Sequence, residues 1–272
     1  MPQEQVESIA QELKSAYESG QMVDVPPSAR PGFDLNAAYE VEARLKQLRE
    51  TEGHKSAGRK VGYANKAMWR VLKLETLTWG HMFEDTVHFA EGNSAALSIA
   101  HPRSLKIEPE IVFGMKQTVG EGLDAAGALA SAEWLALGFE IIDCPYPDWK
   151  FQPSDFVASY GLHAALVIGE KKAVQNDQIP TLIDELARFK VRIKKNGESV
   201  EEGSGRNSLK SPALCLAELG AAIARRFPSE PLSAGEIVSS GTLTAGHPTA
   251  KGDEWTAEVE GISLPPITLR IG

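Results

Sequence analysis

Leu105-Lys-Ile-Glu-Pro-Glu-Ile-Val-Phe113 is the stretch on which the fold of this chain turns. Leu105, Ile107, Pro109, Ile111 and Phe113 fall on one side of it, and Lys106, Glu108, Glu110 and Val112 on the other. A side-chain period of two is that of a β-strand. On a strand, Glu108 and Glu110 project from the same face, roughly 7 Å apart along the chain. Two carboxylates that close repel unless a positive group lies between them. A hard divalent cation such as Mg2+, which takes oxygen ligands, would fill that role. The plainer reading is a pair on the solvated face of a half-buried sheet, since exposed glutamates are common.

A third acid bears on the choice. Glu140 sits among Leu137, Phe139, Ile141 and Ile142, a run that reads as a buried strand. A buried carboxylate without a partner is costly. Glu140 therefore needs one, and together the three acids put a metal site on an equal footing with the solvated face.

Working outward, Val6, Ile9, Ala10, Leu13 and Ala16 follow helical spacing, with Gly20 as a stop. A Pro/Gly-rich connector over 25–33 leads to a second helix, Leu35 to Glu50, with Asp34 as N-cap. These helices predict a helical N-terminal region over 1–55, ahead of a catalytic mixed-β domain over 56–272. In that body, strands are expected at 57–61, 82–83, 86–90, 139–143, 164–168, 236–240, 254–259 and 267–271. Short helices are expected over 64–72 and 183–187. The Ala-rich run Leu123 to Leu137 reads as a helix stopped by Gly138. Asn196-Gly197 marks a hairpin between Val191-Arg-Ile193 and Val200. Pro212 to Arg226 reads as a helix capped by Ser211. Many short strands with few long helices give an α+β chain, mostly β in its body, and not a doubly wound one.

The 272 residues suffice for one large domain with an N-terminal addition. A net charge of -9 argues against nucleic acid as a partner, because phosphate binding needs a basic surface. Two cysteines, Cys144 and Cys215, are too few for a disulfide framework and read as free thiols. The polar, acidic start lacks the pattern of a secretory signal, and no apolar run is long enough to cross a membrane. The chain thus reads as cytoplasmic. No dinucleotide or phosphate-loop glycine pattern, nucleophile elbow or zinc-type His/Cys spacing occurs.

Three further sites are open to two readings each. Lys60, in Gly58-Arg-Lys-Val-Gly62, is a surface lysine on an edge strand, or a cation that holds an anion or acts as acid/base if burial lowers its pKa. His163, in Ser159-Tyr-Gly-Leu-His163, is a satisfied core histidine or an acid/base group. Ser239-Ser-Gly-Thr-Leu-Thr-Ala-Gly246 is a plain loop, or a turn that brings N–H and hydroxyl donors to a carboxylate.

Together, Gly58-Arg-Lys-Val-Gly62, Glu108-Pro-Glu110, Glu140-Ile-Ile-Asp143 and Ser240-Gly-Thr-Leu-Thr244 resemble the 2-keto-4-pentenoate hydratase / 4-oxalocrotonate decarboxylase family. That family lies within the fumarylacetoacetate hydrolase superfamily. The resemblance implies a mixed β-sheet roll behind the N-terminal helices. It implies Mg2+ or Mn2+ on Glu108, Glu110 and Glu140, with Lys60 as an active-site lysine and Thr242 near the substrate. The implied reaction is hydration of a 2-hydroxy-2,4-dienoate through a metal-stabilised enolate, by a homo-oligomer acting on a small 2-oxo acid from aromatic catabolism. Decarboxylation of a 2-oxo diacid and C–C hydrolysis of an acylpyruvate are alternatives on the same metal. A catalytically silent binding protein is a third. Departures from the family pattern cluster around the pocket. Thr78 replaces an acid, Asp143-Cys-Pro145 lacks an arginine, and Ala158-Ser-Tyr160 replaces Ala-Asp-Asn. Tyr160 and His163 are therefore candidates for substrate binding and for the missing acid/base function.

Overall fold

The computed structural model describes residues 1–272. The N-terminal helices are α1 (Gln3–Ser19) and α2 (Leu35–Thr51). Gly20 ends α1 in the left-handed conformation that glycine tolerates. Asp34 caps α2 by accepting from the Ala37 N–H at 2.9 Å. The apolar stripes of both helices join the main core, which continues to Ile271. No helix is long and apolar enough to cross a membrane.

The strands in chain order are β1 (Ser56–Gly62), β2 (Thr78–Phe83), β3 (Val87–Phe89), β4 (Ser94–Leu97), β5 (Leu105–Met115), β6 (Ala132–Asp143), β7 (His163–Ile168) and β8 (Lys172–Ala173). They continue with β9 (Lys190–Lys195), β10 (Glu198–Ser204), β11 (Ile237–Ser239), β12 (His247–Pro248), β13 (Glu254–Glu260) and β14 (Ile267–Ile271). The remaining helices are α3 (Lys66–Leu72), α4 (Ala125–Ala130), α5 (Pro153–Ala158), α6 (Ile179–Arg188) and α7 (Pro212–Arg226). A nine-stranded mixed sheet runs β2-β1-β11-β5-β6-β7-β3, with β12 on β5 and β8 on β6. A five-stranded sheet runs β10-β9-β13-β14-β4. The curled, mixed sheets behind two helices make the α+β roll expected from the sequence.

At the centre lie β5 and β6, antiparallel and paired from Leu105↔Asp143 to Met115↔Ala132. Both faces of β5 are covered. Ile111 and Phe113 enter the main core, while Val112 joins Met82, Ala136, Leu166 and Ile168 in a smaller cluster. Glu110 is carried into this dry environment with no exposed surface, so the solvated-face reading does not hold.

One expected element is corrected. The run 123–137 is not one helix: only Ala125–Ala130 is helical, and β6 begins at Ala132. Alanine's helix preference is a weak prior that tertiary pairing overrides. Here the partner is eleven-residue β5, with β8 pairing Trp134 and Leu135 on the other side and β7 taking over from Gly138. Gly138 is not a helix stop either. It faces Glu110 across the ladder, and a Cβ there would meet Val112 Cγ2 at 2.8 Å and the Val167 carbonyl at 2.9 Å.

Candidate active site

Sheet register assembles the site. Glu108 and Glu140 are direct cross-strand partners on β5 and β6, and Glu110 lies two residues along β5 on the same face. One carboxylate oxygen from each of the three lies within 4.8 Å of the others. Lys60 comes from β1, beyond β11 in the same sheet, and its ammonium stands 3.1 Å from Glu140 Oε2. With 2% of its surface exposed, Lys60 is no surface lysine.

Donors already in place orient the acids. Ser239 Oγ donates to Glu110 Oε2, and the Gly241 N–H donates to the same oxygen at 2.8 Å. The hydroxyl-rich turn after β11 thus brings donors to a carboxylate, and that carboxylate is the protein's own. His163 Nδ1 lies 2.9 Å from Glu140 Oε1, and its Nε2 lies 3.0 Å from Thr86 Oγ1. Lys60 also donates to the Gly161 carbonyl at 2.8 Å. Gly161 has φ +63°, and a Cβ there would lie 2.5 Å from Lys60 Cδ. Glycine at this turn therefore leaves room for the lysine stem.

The electrostatics are unbalanced. Three carboxylates face one ammonium in a buried place, so full ionisation would leave two negative charges uncompensated. Burial, partly offset by Lys60, pushes Glu108 up to about 7. Burial together with Glu140 and Glu108 pushes Glu110 well above the usual carboxylate range. Burial opposes the charge on Glu140 too, but Lys60 and His163 outweigh it and hold that carboxyl low. For Lys60, burial is outweighed by Glu140, Glu108 and Glu110, so its pKa is raised. This reverses the expectation that burial would lower it toward a base.

Glu110 Oε1 is buried without a hydrogen-bond partner, and Glu140 Oε2 has only the Lys60 ammonium at 3.1 Å, without well-formed hydrogen-bond geometry. Leaving such oxygens unpaired costs about 1–3 kcal/mol each, more when charged. A buried oxygen without a partner, three carboxylates against one ammonium and an all-oxygen donor set fit a hard divalent cation.

In front of the acids opens a cleft of about 300 Å³, lined by Lys60, Glu108, Lys106, Trp149, Asn207 and Thr242 among others. Tyr160 and His163 do not line it, contrary to the expectation that they handle substrate. His163 stands behind Glu140 with both ring nitrogens engaged, as a satisfied core histidine does. Tyr160 packs its ring edge-on to Tyr17 and Phe83. Thr242 reaches the cleft wall, where its hydroxyl donates to the Thr244 carbonyl at 2.9 Å. Among the cleft residues passed over in the sequence are Lys106, Trp149 and Asn207. Lys106 and Glu108 share a strand face, a signal already present in the alternation; Trp149 and Asn207 lie in short turns that carry none. Asp143, beside which the sequence lacks the family's arginine, is paired with Arg103, whose Nε donates to its Oδ2 at 2.8 Å.

Comparison with known proteins bears on this geometry. The model of the family described as "Fumarylacetoacetate (FAA) hydrolase C-terminal" matches residues 61–266. The chain is 28% identical over 258 residues to 2-hydroxyhexa-2,4-dienoate hydratase of Comamonas testosteroni, covering 94% of each. It is 28% identical over 264 residues to 4-oxalocrotonate decarboxylase of Pseudomonas sp. (strain CF600), covering 96% of each. Among solved structures, 4-oxalocrotonate decarboxylase from Pseudomonas putida G7, complexed with magnesium and adipate, matches with a TM-score of 0.89. That match has 25% sequence identity and spans 100% of this chain and 99% of the other.

Proposed function

The chain belongs to the fumarylacetoacetate hydrolase family, and from that premise we propose that it is a divalent-metal-dependent lyase of small 2-oxo acids. The first reading is hydration of a 2-hydroxy-2,4-dienoate of the 2-keto-4-pentenoate type to a 4-hydroxy-2-oxo acid. Decarboxylation of a 2-oxo diacid is the second. It is favoured by the P. putida G7 decarboxylase, whose fold this chain follows from end to end and which is complexed with a diacid. One observation carries the proposal: three carboxylates within 4.8 Å of one another, with a buried lysine among them, behind an open cleft.

Glu108, Glu110 and Glu140 would hold Mg2+ or Mn2+. When bound, such an ion supplies a Lewis acid toward an oxygen of the substrate. Lys60 keeps its proton and presents a positive charge to the 2-oxo acid end of the substrate, fixed in place by Glu140 and the Gly161 carbonyl. As an ammonium it can donate a proton to the substrate carbon chain. Ser239 and Gly241 hold Glu110 on one side, and His163 holds Glu140 on the other. His163 is thus a positioning residue in this reading. Phe151 and Phe156 flank the cleft with apolar surface that limits water around the carbon chain.

The proposal is tested in two steps. Mg2+ and then oxalate or pyruvate should raise the melting temperature stepwise, because ligands of the folded state alone stabilise it. The metal-loaded protein is then incubated with a panel of 2-hydroxydienoates and 2-oxo diacids. Product masses distinguish water gained from CO2 lost. Absence of both thermal shifts and of any product would leave the silent binding protein as the better reading.

A further inference from the structure

Lys106 is a second cation in the cleft, and the chemistry above does not use it. It stands two residues before Glu108 on the same face of β5. Unlike Lys60 it makes no ion pair with a carboxylate; its ammonium lies 3.8 Å from the centre of the Trp149 ring. That ring is pinned by its own N–H, which donates to Ser104 Oγ at 2.7 Å. An aromatic face steadies the ammonium but takes up none of its N–H donors, which stay free for an anion.

We propose that Lys106 receives the second carboxylate of a 2-oxo diacid, so that the cleft is built for a substrate anionic at both ends. The inference rests on the reading of this cleft as a 2-oxo acid site and names the substrate class within it. Two residues along a strand span about 7 Å, which sets Lys106 one repeat beyond the Glu108 position, on the scale of a short diacid. The wall of the same cleft offers Ile142, directly across the ladder from Lys106, with Phe151 and Phe156, apolar surface that suits a run of carbon atoms. Positive charge at either end with an apolar stretch between is complementary to a dianion. A monoacid of the same length would bring a methyl group to an ammonium and gain nothing from it.

The test is calorimetric titration of the Mg2+-loaded protein with 2-oxoadipate and with 2-oxohexanoate. These share chain length and the 2-oxo acid end, and differ in a distal carboxylate against a methyl. The diacid should bind at least about tenfold more tightly, as expected for a charge-assisted hydrogen bond. Lys106→Met should abolish that preference and leave 2-oxohexanoate unaffected, while Lys106→Arg should keep it. Separate Mg2+ titrations and melting curves on each variant fix metal loading and folding. Equal affinity of the parent protein for both acids overturns the inference, as does an equal loss of both in Lys106→Met. If the Mg2+-loaded parent binds neither acid, the 2-oxo acid reading itself fails, and this inference goes with it.

Discussion

Glu140 is the residue on which the others converge. Its two oxygens meet His163 Nδ1 and the Lys60 ammonium, and the latter oxygen lacks a well-formed hydrogen bond. Glu140→Gln keeps the shape and removes the charge. It should weaken Mg2+ binding by more than about a hundredfold, beyond the usual effect of groups that merely support a ligand. Isothermal titration of the purified variant reads this, and a variant that binds Mg2+ as the parent does would remove Glu140 from the ligand set. His163→Ala should act more mildly. Loss of its contacts to Glu140 and Thr86 should lower metal affinity about 10–100-fold. The pH profile at saturating metal should keep its shape, because His163 does not face the cleft. Disappearance of one limb of that profile would instead restore the acid/base role. The three acids were legible because strand periodicity fixes which side chains share a face. His163 was not, because one residue either side of a turn decides whether a side chain meets a cleft or the back of a ligand.

Among the elements, the β5–β6 ladder carries the site, and Gly138 packs closely within it opposite Glu110. Gly138→Ala would press a methyl against Val112 and the Val167 carbonyl. Overpacking of this kind costs about 1–3 kcal/mol, readable as a lowered urea midpoint with an unchanged slope. No loss of stability would mean that the strands shift apart more easily than their double-sided burial suggests. Most of the ladder's neighbourhood could be read from sequence. Caps at Asp34 and Ser211, the Asn196-Gly197 turn and the alternation of β5 are local signals with local causes. The first half of β6 could not. Its alanines favour a helix in isolation, and only β5 on one side and the short β8 on the other make it a strand. The long-range pairing that decides it is absent from any window of sequence.

For the whole molecule, the buried charge couples metal binding to stability. Without a metal, burial pushes Glu108 up to about 7, above its ordinary value of 4.5. The folded state therefore binds more protons than the unfolded one between those values. Stability should then fall as the pH rises through that window, the sign opposite to that of an acid held low. Glu140, held low, contributes in the other direction and only below its ordinary value. Melting temperatures from pH 5 to 8 with a chelator should thus decline more steeply than those with saturating Mg2+. Parallel curves would mean that the three acids do not share a cation.

The paired register of Glu108 and Glu140 has a consequence for how such a protein could be re-engineered. The acids sit on rigid strands at the centre of the sheet, whereas Trp149 and Asn207 sit in turns at the cleft rim. The scaffold thus behaves as a fixed socket with exchangeable fittings. Rim residues could be swapped to admit longer, shorter or differently charged acids while the catalytic hardware stays calibrated beneath them.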